Sequence, residues 1–116
     1  MNSVTLTGRL TADPELRFTA GGKAVAGFSV AVNHRGSDDA DFFDCVAWEK
    51  LGEVVADHLA KGRRVLVSGY LKQSRWTTPE GDNRQKVQVV ATQVEFLDRR
   101  PNANGDEGGA DGDEQS

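Results

Sequence analysis

Val4, Leu6 and Leu10 alternate with Thr5, Thr7 and Arg9 near the start of the chain, the two-residue period of a strand with one wet face. A turn is predicted at "ADPE". After it, "LRFTAGGKAVAGFSVAV" reads as a hairpin that bends at Gly21 and Gly22 and has a long apolar second arm over residues 24–32. The loop "NHRGSDDAD" leads to a third strand, "FFDCVAW". There the period changes: Leu51, Val54, Val55 and Leu59 stand at i, i+3, i+4 and i+8, one face of a helix, with Gly62 placed to end it. Residues 65–76 and 84–97 return to strand patterns, joined by "TTPEGDN", whose Pro79 and Gly81 suit a tight turn.

Three strands, one short helix and two strands in under 100 residues predict an all-β fold, the five-stranded OB barrel with its helix between the third and fourth strands. Glycines inside strands, Gly8, Gly27 and Gly69, match the bends and bulges that a tightly curled barrel requires. The pattern stops near residue 99. From Pro101 to Ser116 there is no Phe, Leu, Ile, Val, Trp or Tyr, and Asp106, Glu107, Asp111, Asp113 and Glu114 face no base. Such a segment buries too little surface to offset its ordering entropy, so one domain over residues 1–99 and a disordered acidic tail over 100–116 are expected. The tail also hides the charge of the domain. The whole chain carries −4, whereas residues 1–100 hold all 14 bases and 13 acids, a net of +1. Binding to a polyanion therefore has to rest on local clustering and stacking.

One cysteine, Cys45, excludes an internal disulfide, and two distant histidines beside it argue against a structural zinc site. The opening "MNSVTLTGRL" lacks the features of a signal peptide, and no run approaches the roughly 20 apolar residues of a membrane helix, so a cytoplasmic protein is expected. Asp38, Asp39 and Asp41 read as a solvated loop, and His34 and His58 as packed or exposed side chains. With no nucleophile elbow, phosphate loop or metal spacing, the sequence predicts no enzyme and no cofactor.

Binding residues are easier to find. Phe42, Phe43, Trp48 and Trp76 lie in or beside the third and fourth predicted strands, near Lys50, Lys72 and Arg75. An aromatic ring offers its face to any base, and cations nearby neutralise phosphates. Strand alternation lets only one of Phe42 and Phe43 face the core, and Trp48 either caps the barrel or meets solvent. Trp76 shares its face with Tyr70, Lys72 and Ser74, a largely polar row that predicts exposure. Arg84 and Lys86 on the returning arm extend the basic track.

The series "LTGRLTADPELRFTAGGKAVAGFSVAV", "FFDCVAWEKLGEVVADHLAKGRRVLVSGYLKQSRW" and "VQVVATQVEFL" closely resembles the bacterial single-stranded DNA-binding protein family over nearly all of residues 2–98, and "LTADPELRFT" looks most like actinobacterial or phage members. The resemblance implies an OB-fold homotetramer that binds single-stranded DNA without sequence preference, has no catalytic activity, and serves replication, recombination, repair or DNA uptake. It implies stacking roles for Phe42, Trp48 and Trp76 and phosphate contacts from Lys50, Lys72 and Arg75, which turns Phe42 outward.

Three departures accompany it. The loop after the second predicted strand offers His34, Arg35 and acids in place of the family's further aromatic, and Asp44 stands where a base is usual. Weaker or more salt-sensitive binding is expected from both. The chain ends "GDEQS", without the family's apolar tip that docks on replication and repair proteins. An accessory paralogue acting mainly through protein contacts, a primosomal or mixed-tetramer subunit, is the alternative. The five acids of the tail would compete with DNA for the basic track at high effective concentration.

Overall fold

The computed structural model describes residues 1–98; the predicted acidic tail lies outside the described residues. Six strands and one helix follow in the order β1 (Val4–Leu10), β2 (Glu15–Phe18), β3 (Ala24–Asn33), β4 (Ala40–Trp48), α1 (Glu49–His58), β5 (Arg64–Thr77) and β6 (Asn83–Phe96). The predicted hairpin at Gly21 and Gly22 is β2 turning into β3. Gly22 takes φ 86°, and its N–H donates to the Thr19 carbonyl. That left-handed conformation is why glycine stands there.

Five of the strands close a ring. β1 pairs with β5, β5 with β6, β6 with β4, β4 with β3, and β3 returns to β1. All these pairings are antiparallel except β4 with β6, where Cys45 faces Val89 and Val46 faces Val90 in parallel register. One edge of β3 is shared: Ala24 to Gly27 pair with β2, and Val30 and Ala31 pair with the end of β1. This closed barrel of five strands, with α1 between the strands at Trp48 and Arg64, is the OB fold, and β2 is a short addition at its rim.

Inward residues follow the pleat. Ala26, Phe28 and Val30 on β3 oppose Ala47, Cys45 and Phe43 on β4, while Val65 and Val67 on β5 and Val89 and Ala91 on β6 complete the core. Val55 of α1 is buried against it with Leu51 packed alongside, Val54 is half-buried, and Leu59, predicted as the last residue of the helical stripe, is buried just beyond the helix in extended backbone. Gly52 lets the helix come close, since a Cβ there would meet the Ala47 carbonyl. The helix stops at His58, earlier than Gly62 suggests. Gly62, at φ 87°, instead makes the turn into β5 and donates its N–H to the Leu10 carbonyl.

Tight curling accounts for two of the three strand glycines. A Cβ at Gly8 would fall on the Ala31 carbonyl, and one at Gly69 on the Val90 carbonyl. The β5–β6 ladder also slips beside Gly69: Ser68 pairs with Gln93 and Gly69 with Ala91, leaving Thr92 as the extra residue of a bulge. Gly27 differs, because a Cβ there would meet nothing within 4 Å. Its place is on the outer face, where it leaves open space.

Candidate nucleic-acid interface

Directly opposed residues of a ladder point to the same side, so the registers assign one continuous outer face across β3, β4, β6 and β5. β4 contributes Phe42, Asp44, Val46 and Trp48, opposite Ala31, Ser29, Gly27 and Val25 of β3. β5 contributes Tyr70, Lys72, Ser74 and Trp76, opposite Val90, Gln88, Lys86 and Arg84 of β6. The parallel pairing of Val46 with Val90 joins the two halves.

The choice between Phe42 and Phe43 is settled by this register: Phe43 turns inward opposite Val30, and Phe42 stands outward at 67% exposure. Trp48 is 41% exposed at the end of β4 and forms the N-cap position of α1, so it occupies the rim of the outer face rather than plugging the barrel. Trp76 is 49% exposed near the far end of β5. The bulge lies before Tyr70, so the strand parity that predicts exposure of Trp76 holds from Tyr70 onward.

The predicted cations divide. Lys72, Arg84 and Lys86 share the outer face with Trp76, and Arg84 is directly opposite it. Arg75 belongs to the other face of the β5–β6 ribbon, opposite Gln85, and its Nη2 donates to Gln73 Oε1 at 2.6 Å. At the hairpin end the two faces meet around a shallow hollow lined by Arg75, Trp76, Thr77, Asn83, Arg84 and Gln85. Lys50 is exposed in the first turn of α1, two residues beyond Trp48 and off the sheet.

Two of the outward cations already have carboxylate partners. Lys86 Nζ lies 3.2 Å from Asp44 Oδ2, and Arg84 Nη2 lies 3.7 Å from Asp82 Oδ2. All four side chains are substantially exposed, so these pairs contribute little to stability but moderate the local field. His34 Nε2 lies 3.0 Å from Asp41 Oδ1; Asp41, expected in the loop with Asp38 and Asp39, is instead the second residue of β4, opposite Val32, because the strand pairing extends to Ala40. His58 stacks obliquely near Phe96, with ring centroids 5.8 Å apart.

Arg17 is absent from the sequence-based set. It is exposed on β2 opposite Val25, which in turn opposes Trp48, so the register sets a cation in the same row as that tryptophan, two strands across. No motif marks it, because the relation depends on β2 pairing with β3. Among the described residues, no group of three or more His, Cys, Asp or Glu side chains is arranged to hold a metal ion. No helix among them is long and apolar enough to cross a membrane.

The fold is of the OB class, and its outer face sets exposed aromatic rings among cations. A profile of the Single-strand binding protein family matches residues 1–97, and the chain belongs to that family. Its relatives include single-stranded DNA-binding proteins of Treponema pallidum (strain Nichols), 48% identical over 103 residues, and of Clostridium perfringens (strain 13 / Type A), 46% identical over 100. The matched region covers 84% of this chain in both, with 58% of the Treponema protein and 67% of the Clostridium protein. A Thermotoga maritima relative is 43% identical over 107 residues, 86% of this chain and 76% of that protein. The chain thus spans less than two thirds of the Treponema relative's length.

Proposed function

We propose that this protein binds single-stranded DNA without sequence preference and protects it, as a non-catalytic component of replication, recombination, repair or DNA uptake. The observation that carries this reading is the grouping of exposed Phe42, Trp48 and Trp76 on one barrel face with Lys72, Arg84 and Lys86. Rings stack on any base, and the cations release counterions from the phosphates, so neither interaction reads sequence. Lys50 and Arg17 flank the Trp48 end, and Arg75 contributes at the hairpin end from the opposite face. The names of the relatives favour direct DNA binding over the accessory, protein-contacting role.

The proposal includes assembly as a homotetramer in the cytoplasm, at the nucleoid. The edge of β1 supports assembly: the strand pairs with β5 from Val4 to Arg9, but with β3 only at Arg9 and Leu10. An edge open over most of a strand is a template for pairing with a second copy. Replication or repair proteins are the partners such an assembly would serve.

The test is fluorescence anisotropy of labelled oligo-dT, competed by unlabelled oligo-dT or by a duplex of equal length. The single strand should compete strongly and the duplex weakly, with affinity falling as salt rises. Equal competition by the duplex would overturn the reading.

A further inference from the structure

We infer that Tyr70 is an additional stacking platform, set in a trough between Trp48 and Trp76, for the single strand that the proposed function assigns to this face. Tyr70 is 41% exposed, and its hydroxyl has no hydrogen-bond partner among the described residues, whereas a tyrosine hydroxyl usually finds one when buried. The register sets this partly exposed ring on the outer face, opposite Val90.

The register gives the trough its shape. Across the sheet from Tyr70 run Val90, Val46 and Gly27, all pointing outward. Val90 is buried and Val46 half-buried, an apolar base beneath this row, and Gly27, where an added Cβ would meet nothing within 4 Å, leaves the surface low beyond them. Trp48 stands on the neighbouring row of the same face. Two strand spacings and one row separate it from Tyr70, roughly 12 Å at the backbone. Along β5, Tyr70 and Trp76 are six residues apart, about 20 Å. Tyr70 thus divides the long interval between the two tryptophans, in a place with an apolar floor and Lys72 beside it on the same strand face.

The experiment uses the full chain and oligo-dT. Tyr70→Ala should weaken binding by roughly 5- to 100-fold, and Tyr70→Phe, which keeps the ring, should retain wild-type affinity. Gly27→Val provides an independent variant that the backbone tolerates, and raising the trough floor should also weaken binding. Irradiating wild-type protein bound to oligo-dT carrying 5-iodouracil should yield a crosslink at Tyr70, located by mass spectrometry. Sedimentation and near-UV circular dichroism establish that each variant keeps its fold and assembly. Full affinity in folded Tyr70→Ala, or loss of affinity in Tyr70→Phe, would overturn the stacking role while leaving the proposed function in place. Failure of the wild-type chain to bind oligo-dT would overturn both.

Discussion

Asp44 places a negative charge in the middle of the cationic outer face, 3.2 Å from Lys86. Both side chains are about half exposed, so the pair adds little to folding stability, yet a phosphate that approaches Lys86 must displace a carboxylate already there. Asp44→Asn should therefore tighten binding to oligo-dT at low salt. It should also steepen the dependence of log K on log salt by about 0.7, the share of one further neutralised phosphate on a single strand. An unchanged slope in affinity titrations would show that Lys86 lies off the DNA path. The sequence shows Asp44 as an added acid and Lys86 as part of a basic track, but the two are distant in the chain. Their meeting depends on the parallel β4–β6 contact, which no local pattern announces. The next residue shows the opposite case. Cys45 alternates inward, is 1% exposed, and its thiol is pushed up to about 12 by burial and then by the Asp44 charge. It remains protonated at physiological pH and serves as a small core residue.

At the scale of the elements, the passage from β4 into α1 depends on Glu49. Its φ of 56° is the only positive value among the described non-glycine residues, and an L side chain in that conformation costs about 1–2 kcal/mol. The carboxylate at the helix start returns part of this through the helix dipole, about 0.3–1 kcal/mol. Glu49→Gly should therefore raise stability by about 0.5–1 kcal/mol, seen as a melting temperature a few degrees higher. A lower melting temperature would mean that Glu49 makes a compensating contribution larger than its backbone strain.

Element type was legible where periodicity was clean. β1 begins and ends where the alternation of Val4, Leu6 and Leu10 places it, and Leu51 and Val55 of the predicted stripe set α1 on the barrel, while Leu59 reaches the core from just beyond the helix. β2 carries no burial pattern, since its four residues are all exposed, and it is legible only as the first arm of the hairpin that the Gly21–Gly22 turn predicts. In β6 the bulge puts both Val94 and Ala91 toward the core, three residues apart, which breaks the two-residue period that a reader of sequence must use. The sequence predicts a bend or bulge at Gly8, Gly27 and Gly69 alike, yet only Gly8 and Gly69 are forced by close backbone approach. Arg75 and Trp76 are adjacent in sequence and so appear as one cluster, whereas the pleat sends them to opposite faces.

For the whole molecule, the acidic balance of the chain gives little guide to the face that matters. Net charge is −4, while the outer sheet groups Lys72, Arg84 and Lys86 with the exposed aromatics Phe42, Trp48, Tyr70 and Trp76 from two separate strands. Barrel closure creates that grouping: β6 lies between β4 and β5, so the rings of Phe42 and Trp48 share a surface with Trp76. Both tryptophans of the chain belong to this surface, which makes intrinsic fluorescence a direct probe of it. The decisive measurement is tryptophan fluorescence during titration with poly-dT and with duplex DNA, on the wild type and on Trp48→Phe and Trp76→Phe. Strong quenching by the single strand alone, retained in part by each variant, is the predicted result, because each remaining indole still stacks on bases. A folded protein whose emission is unaffected by poly-dT would contradict the assignment of this face to single-stranded DNA.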